Sequence, residues 1–294
     1  MYDVPDRVDC FFVTYDGLPD LDPHDRLVVT ELAVRGVVVE PAVWTDASID
    51  WGAARLCVVR STWDYHAKHA DFLRWLREVE SKSAVRNHPA VIRWNSHKFY
   101  LRDLQKAGVP IVPTHWLNRG AATALEGIRS ERGWSELIIK PAHGASSTDV
   151  LHVRASVEEV KRGQLHLERL LRDQDVLVQP FLTTLTHYPE RALVFVDGAF
   201  THAVEKTPYQ KALPSGEAGP APLVEATAQE IEVAMRAMET AAEPPLFCRV
   251  DLVRDERDAI CVLELELIEP TLFLGEHAPA VGALADAVVR LLHA

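Results

Sequence analysis

Cysteine is scarce and solitary: four residues, Cys10, Cys57, Cys248 and Cys261, each lie in an apolar run, and none forms a C-x-x-C pair. That spacing excludes a disulfide framework and reads as reduced, buried thiols of a cytoplasmic protein. Long apolar runs are missing too, and no stretch approaches the ~20 residues of a membrane-spanning helix. The opening "MYDVPDRVDCFFVTYD" sets acids ahead of a short apolar run, with no basic region or small-residue cleavage site, so no secretory signal is expected. Positive charge is in deficit, with 31 Lys and Arg against 43 Asp and Glu and a net charge of -12. Phosphate backbones are held by clustered cations, so neither a nucleic-acid nor a membrane partner is expected. A small anionic ligand stays compatible wherever local cations meet it. The G-x-x-x-x-G-K-[ST] order of a Walker loop and the G-x-S-x-G nucleophile elbow are both absent.

What is present is an ordinary globular composition, 48% hydrophobic and 25% charged over 294 residues, enough for one large domain or two smaller ones. Short buried strands are expected at 8 to 15, 37 to 44 and 55 to 60, with a helix at about 24 to 35 between the first two. Phe72, Leu73, Trp75, Leu76 and Val79 fall at helical spacing after the loop "STWDYH". Strands alternating with helices predict a parallel sheet whose carboxyl ends gather ligands, and that loop sits at such an end. A further helix is expected in "SHKFYLRDLQKAG", capped by Asn95 or Ser96 and stopped at Gly108. Beyond it the pattern predicts mostly antiparallel strands at 137 to 153, 176 to 182, 191 to 206 (a hairpin turning at "VDG") and 247 to 268. Helices are expected near 157 to 172 and 226 to 241, and a surface loop at 207 to 222.

The stretch "CVLELELIEP", 261 to 270, places carboxylates where a buried strand should not want them. Strand side chains alternate between faces, so Glu264 and Glu266 share a side with Val262 and Ile268, about 7 Å apart, and something positive should lie between them. In "FCRVDLV", 247 to 253, Arg249 and Asp251 share a face by the same rule. If the two strands pair, Asp251, Glu264 and Glu266 converge, and three carboxylates suit Mg²⁺, a hard cation that prefers oxygen. Without a cation they would repel, and at least one would take up a proton. The plain alternative is a solvated strand face.

R-x-D on one strand, then E-x-E and a proline on the next, resembles the ATP-grasp ligases, among them D-alanine:D-alanine ligase and glutathione synthetase. The resemblance implies an α/β (α+β) fold in three parts: an N-terminal parallel α/β domain over 1–93, a central lobe over 94–182 and a C-terminal lobe over 183–294, the two lobes enclosing the nucleotide. It implies ATP as substrate and two Mg²⁺ ions, with Mn²⁺ as a substitute, held by Asp251, Glu264 and Glu266; Glu266 stands where the family usually has asparagine. "LIIKPAHGASSTDV" then implies that Lys140 contacts the nucleotide and that the loop carrying Ser146, Ser147 and Thr148 covers its phosphates. Small residues let backbone N-H groups approach phosphate closely, although a strand-end lysine is also often a plain surface cation. "VLVQPFL" resembles the adenine-reading linker, formed by Gln179, Pro180, Phe181 and Leu182. By similarity Glu190 accepts from the ribose, Lys98 meets the nucleotide, and Lys206 meets the transferred phosphate. "RSTWDY", "RWNSHKFYLRDLQKAGVPIVPT", "VDGAFTHAVEK" and "ELELIEP" are similar to the D-cycloserine-forming branch, which activates the carboxylate of O-ureido-serine and closes a ring.

The implied activity is carboxylate-amine ligation through an acyl-phosphate on a small amino-acid-like substrate, with Arg249 and Lys206 as catalytic cations. Trp63, Asp64, Tyr65 and Arg191 are the substrate candidates; Asp64 suits an ammonium ion, or equally a helix cap. His66 and His69 read as surface residues, while His143 and His202 lie nearer the expected chemistry. A non-catalytic nucleotide-binding regulator and a two-metal hydrolase are the competing readings, and a homo-oligomer is compatible with all three.

Overall fold

Three sheets carry the chain in the computed structural model, which describes residues 8–145, 147–206 and 221–293. The first contains β1 (Cys10–Thr14), β2 (Val39–Val43), β3 (Leu56–Ser61) and β4 (Ala84–Arg86), all parallel, in the order β2-β1-β3-β4. Every residue of β1 and β3 is buried, because helices cover both faces of a parallel sheet. Helix α1 (Pro23–Val34) starts where Asp22 accepts from the His24 N-H with Pro23 in the first turn. Helix α2 (His69–Glu80) buries Phe72, Trp75, Leu76 and Val79, and Phe72 and Trp75 pack edge-on against Trp44. The strand order reverses between β1 and β3, so the loops after them, carrying Tyr15 and Trp63, open onto the crevice where such sheets take ligands.

The expected helix cap at Asn95 or Ser96 is not there. The expected helix is present but starts later, as α4 (Tyr100–Lys106) behind Phe99, and a separate helix, α3 (Pro89–Asn95), precedes it: Asn95 closes α3, and Ser96 is its C-cap. Asn95 serves another strand instead. The central sheet, β5 (His115–Leu117), β6 (Leu137–Pro141), β7 (Leu151–Val153) and β8 (Val176–Pro180), runs antiparallel in the order β5-β8-β6-β7, backed by α5 (Leu125–Arg132) and α6 (Val157–Asp173). Ser156 caps α6, and Gly163 lets it lie against Val153 and Leu125, where a Cβ would meet side-chain atoms at 2.7 and 2.8 Å.

The third sheet comprises β9 (Arg191–Val196), β10 (Ala199–Glu205), β11 (Leu223–Val224), β12 (Phe247–Arg254) and β13 (Ile260–Glu266), antiparallel in the order β11-β10-β9-β12-β13. Asp197 and Gly198, both at positive φ, make the β9–β10 turn. Helix α7 (Ala228–Met238) begins with a Thr227–Glu230 capping box. Helix α8 (Ala278–His293) packs on α1 and joins the first and third sheets in one core that includes Phe12, Val58, Phe247 and Leu284. No helix among the described residues is long and apolar enough to cross a membrane.

Candidate functional site

Strand β13 is an edge strand, and its outer edge is filled from the segment that precedes the central sheet. Val262 N-H donates to Pro110 and its carbonyl accepts from Val112 N-H, at 2.8 and 3.1 Å. Leu265 N-H donates to the Tyr100 hydroxyl (2.8 Å), and Asn95 accepts from Leu267 N-H and donates to the Leu265 carbonyl. Asn87 continues the row, donating to the carbonyls of Leu267 and Phe247. An edge strand closed this way has a fixed register, so its carboxylates are rigidly aimed.

Strict alternation fails at one position. Asp251 faces Glu264 and Arg249 faces Glu266, but Leu252 faces Val262, because a bulge at Leu263 inserts an extra residue. Val262 therefore leaves the carboxylate face for the core shared with Leu265 and Leu252, while Leu263 packs beside Val253 and Cys261 at the cavity wall. The carboxylates themselves do converge: one oxygen from each of Asp251, Glu264 and Glu266 lies within 4.8 Å of the others. Three close oxygen donors fit a hard divalent cation.

Cations interleave with them. Arg249 donates from Nε and Nη2 to the two oxygens of Asp251, at 2.8 and 2.9 Å, and from Nη2 also to Glu266. Lys206 bridges Asp251 (2.9 Å) and Glu190, and Lys98 pairs with Glu264. Despite burial, Arg249 and Lys206 hold the Asp251 carboxyl well below the usual carboxylate range. Burial pulls Lys206 down, but Asp251 and Glu190 outweigh it and its pKa is raised. Lys140 has no ion-pair partner among the described residues; burial, then repulsion from Lys98, pushes it down to about 8.

All of these groups except the fully buried Asp251 line one cavity of about 500 Å³ between the second and third sheets, with the parallel sheet at one end. Its apolar end is walled by Ile138, Val150, Leu182, Leu185 and Leu263. Phe181 stacks on His152 there, with ring centroids 4.1 Å apart and a 14° interplanar angle. Phe181 N-H donates to the Glu136 carbonyl at 2.9 Å, and Gln179 donates to Thr114, so this strand end is held from both sides. Gln179, Pro180, Phe181, Leu182, Lys98, Lys140, Glu190, Ser147 and Thr148 all reach the cavity, and so do Trp63 and Tyr65 at its far end. Ser146, and the expected surface loop apart from Ala221 and Pro222, lie outside the described residues.

Two substrate candidates do not reach it. Asp64 accepts from Trp44 Nε1 (2.7 Å) and Lys68 (2.8 Å), so its carboxylate belongs to the N-terminal domain; it makes no cap hydrogen bond either. Arg191 turns to Glu230 and the Glu225 carbonyl and lies over the Tyr188 ring. The histidines also differ from expectation. His69 is half-buried, 3.9 Å from the His143 ring, with its pKa lowered to about 4 by burial and by the neighbouring imidazoles of His143 and His97. His202 stacks on His277 rather than facing Lys206.

Sequence reasoning missed Glu269, although it stands in the quoted stretch three residues beyond Glu266. It lines the cavity, and burial followed by repulsion from Glu266 raises its pKa to about 8. Phe273, which also lines the cavity, adopts a φ of 49°, a conformation held only by its surroundings.

Residues 10–87 match the family model of the D-cycloserine synthetase DcsG N-terminal domain. The cycloserine biosynthesis protein DcsG of Streptomyces lavendulae is 31% identical over 254 residues, covering 81% of this chain and 84% of the relative. The chain belongs to the DcsG family of ATP-grasp ligases. The crystal structure of D-cycloserine synthetase DcsG superposes with a TM-score of 0.87 at 26% identity, covering 96% of this chain and 99% of that one. The ATP-grasp ligase PsnB, solved with a minimal precursor, Mg and ADP, shares the fold at a TM-score of 0.65 and 17% identity, over 98% and 100% of the two chains.

Proposed function

We propose that this ATP-grasp enzyme is an ADP-forming, Mg²⁺-dependent carboxylate-amine ligase that closes a ring on a small amino-acid-like substrate, as the D-cycloserine-forming ligases do. The observation that carries this reading is the convergence of Asp251, Glu264 and Glu266 between Lys98, Lys206 and Arg249 beside a cavity that also carries apolar walls. Asp251, Glu264 and Glu266 would hold the divalent ions, two Mg²⁺ or their Mn²⁺ substitutes. Bound there, such ions offset triphosphate charge and align the phosphoryl group. Gln179 to Leu182 receive the base, Glu190 the ribose, and Lys140 the phosphates under the loop that carries Ser147 and Thr148. The chain divides accordingly at 1–93, 94–182 and 183–294, and its buried, unpaired thiols suit a reducing cytoplasm.

A substrate carboxylate oxygen attacks the γ-phosphorus, the bond to the β-bridging oxygen breaks, and ADP leaves. Lys206 and Lys98 sit where charge shifts during this step. The substrate nitrogen then attacks the acyl carbon; phosphate departs and carries off the proton that nitrogen loses. Arg249, fixed on Asp251 and on the Thr271 carbonyl at 3.1 Å, stabilises the tetrahedral oxyanion. No side chain becomes covalently attached. Catalysis is positioning and electrostatics. The test is Mg²⁺-dependent ADP release across a panel of amino acids that includes O-ureido-D-serine, with product mass. Ring closure removes one water, and hydrolysis of the carbamoyl group from the ring nitrogen to CO₂ and NH₃ removes a further HNCO, so the product from O-ureido-D-serine should be lighter by both; nucleotide binding without ADP release on any acid would overturn the reading.

A further inference from the structure

Every other carboxylate of the charged cluster already has a cation. Glu190 has Lys206, Asp251 has Arg249 and Lys206, Glu264 has Lys98, and Glu266 has Arg249. Glu269 lines the same cavity and, among the described residues, makes no ion pair and no side-chain hydrogen bond to any other residue; only its own backbone N-H reaches its carboxylate. Its backbone, by contrast, is fixed by both flanking units. Trp63 Nε1 donates to the Glu269 carbonyl at 3.0 Å, Arg60 Nη2 to the Pro270 carbonyl at 3.1 Å, and Arg249 Nη1 to the Thr271 carbonyl at 3.1 Å. A carboxylate held this firmly and left bare in a low-dielectric cavity is costly unless a ligand supplies the opposite charge. The walls beside it, Trp63, Tyr65 and Phe273, are aromatic, and ring faces attract ammonium groups.

Resting on the ligase reading above, we infer that Glu269 is the specificity-determining residue that receives the α-ammonium of the substrate, so the enzyme selects α-amino acids over acids lacking that group. It takes the role that Asp64, engaged by Trp44 and Lys68, cannot fill. The ammonium held at Glu269 places the adjacent carboxylate toward Arg249 and the phosphates and keeps the amine protonated, so the α-amine does not compete as nucleophile.

The test compares O-ureido-D-serine with its des-amino counterpart, 3-(ureidooxy)propanoate, by calorimetric binding to protein loaded with Mg²⁺ and a non-hydrolysable ATP analogue, and by ADP release. The native protein should prefer the amino acid by roughly 10- to 100-fold, the span of a charged hydrogen-bonded pair. Glu269→Gln should erase that preference by weakening the amino acid alone, with the KM for ATP unchanged. Glu269→Asp should restore part of it, which a merely structural role would not. Equal affinity of the native protein for both acids, or an equal loss of both in Glu269→Gln, overturns the assignment. Binding preference without ADP release from either acid would instead defeat the ligase reading and leave Glu269 standing. Melting temperature with Mg-ATP checks that each variant folds.

Discussion

Two buried arginine–aspartate pairs hold consecutive carbonyls of one segment, Arg60 that of Pro270 and Arg249 that of Thr271, and they serve different ends. In the parallel domain Arg60 donates to Asp25 at 2.9 Å, with exposures of 3% and 2%; Ser61 caps the second oxygen, and the ring of Phe247 covers the guanidinium. In the third sheet Arg249 and Asp251, at 7% and 0%, are equally buried, yet each also touches a further charge: Glu266 on one side, Lys206 on the other. The first pair closes on itself and ties β3 to the Pro270 carbonyl. The second is the inner end of a chain of alternating charges that opens into a cavity. A self-contained pair fixes structure, whereas a chain of charges flanked by Lys140 and Glu269, neither of them ion-paired among the described residues, suits the proposed ligand, which carries both signs.

Breaking each pair should separate the roles. The largest effect is expected from Glu264→Gln, which should lower turnover by about 10²- to 10³-fold with the melting temperature near the native value. Activity assays beside thermal unfolding check it. Asp25→Asn should do the reverse: it strands a buried guanidinium at about 3–5 kcal/mol of stability, read by denaturant titration, while the folded fraction keeps most of its turnover.

Next in size is a pH effect. Lys140 is charged below about 8 in the ligand-free protein, so the KM for ATP should climb as pH rises past 8; an ordinary lysine would hold it level to beyond pH 10. Native-like KM values at pH 9.5 would remove Lys140 from phosphate binding. On the acid side, His69 and His202 are both lowered to about 4 by burial and by neighbouring imidazoles. Their folded pKa lies below the unfolded value near 6.5, so their contribution is intact above pH 6.5 and is lost as pH falls toward 4. Melting temperature should fall across that window, and replacing both by Gln should flatten the fall. The smallest effect is expected at Asp64: Asp64→Asn should leave both KM values within about twofold, since exposed or locally paired groups contribute little elsewhere.

The same contrast explains what was legible in the sequence. Alternation over β12 and β13 was enough to bring Asp251 to Glu264 and Arg249 to Glu266, because short polar turns leave antiparallel strands few registers. The bulge at Leu263 was not legible; it shows only when Leu252 must face Val262. The resemblance placed Lys98, Lys140, Lys206 and Glu190 in chain order, but their lateral pairing depends on three sheets meeting. Asp64 and Arg191 looked like substrate ligands because charge next to a motif is easy to read, whereas their partners, Trp44 and Glu230, lie 20 and 39 residues away. Glu269 was overlooked for the opposite reason: no local pattern marks a carboxylate whose distinction is that it lacks a partner.

The central claim, that Asp251, Glu264 and Glu266 jointly hold divalent ions, is tested most directly by electron paramagnetic resonance of Mn²⁺ titrated into the ADP-loaded protein. The native chain should quench the free Mn²⁺ signal, which should persist with Asp251→Asn and Glu264→Gln. Equal quenching by the native chain and both variants would contradict it.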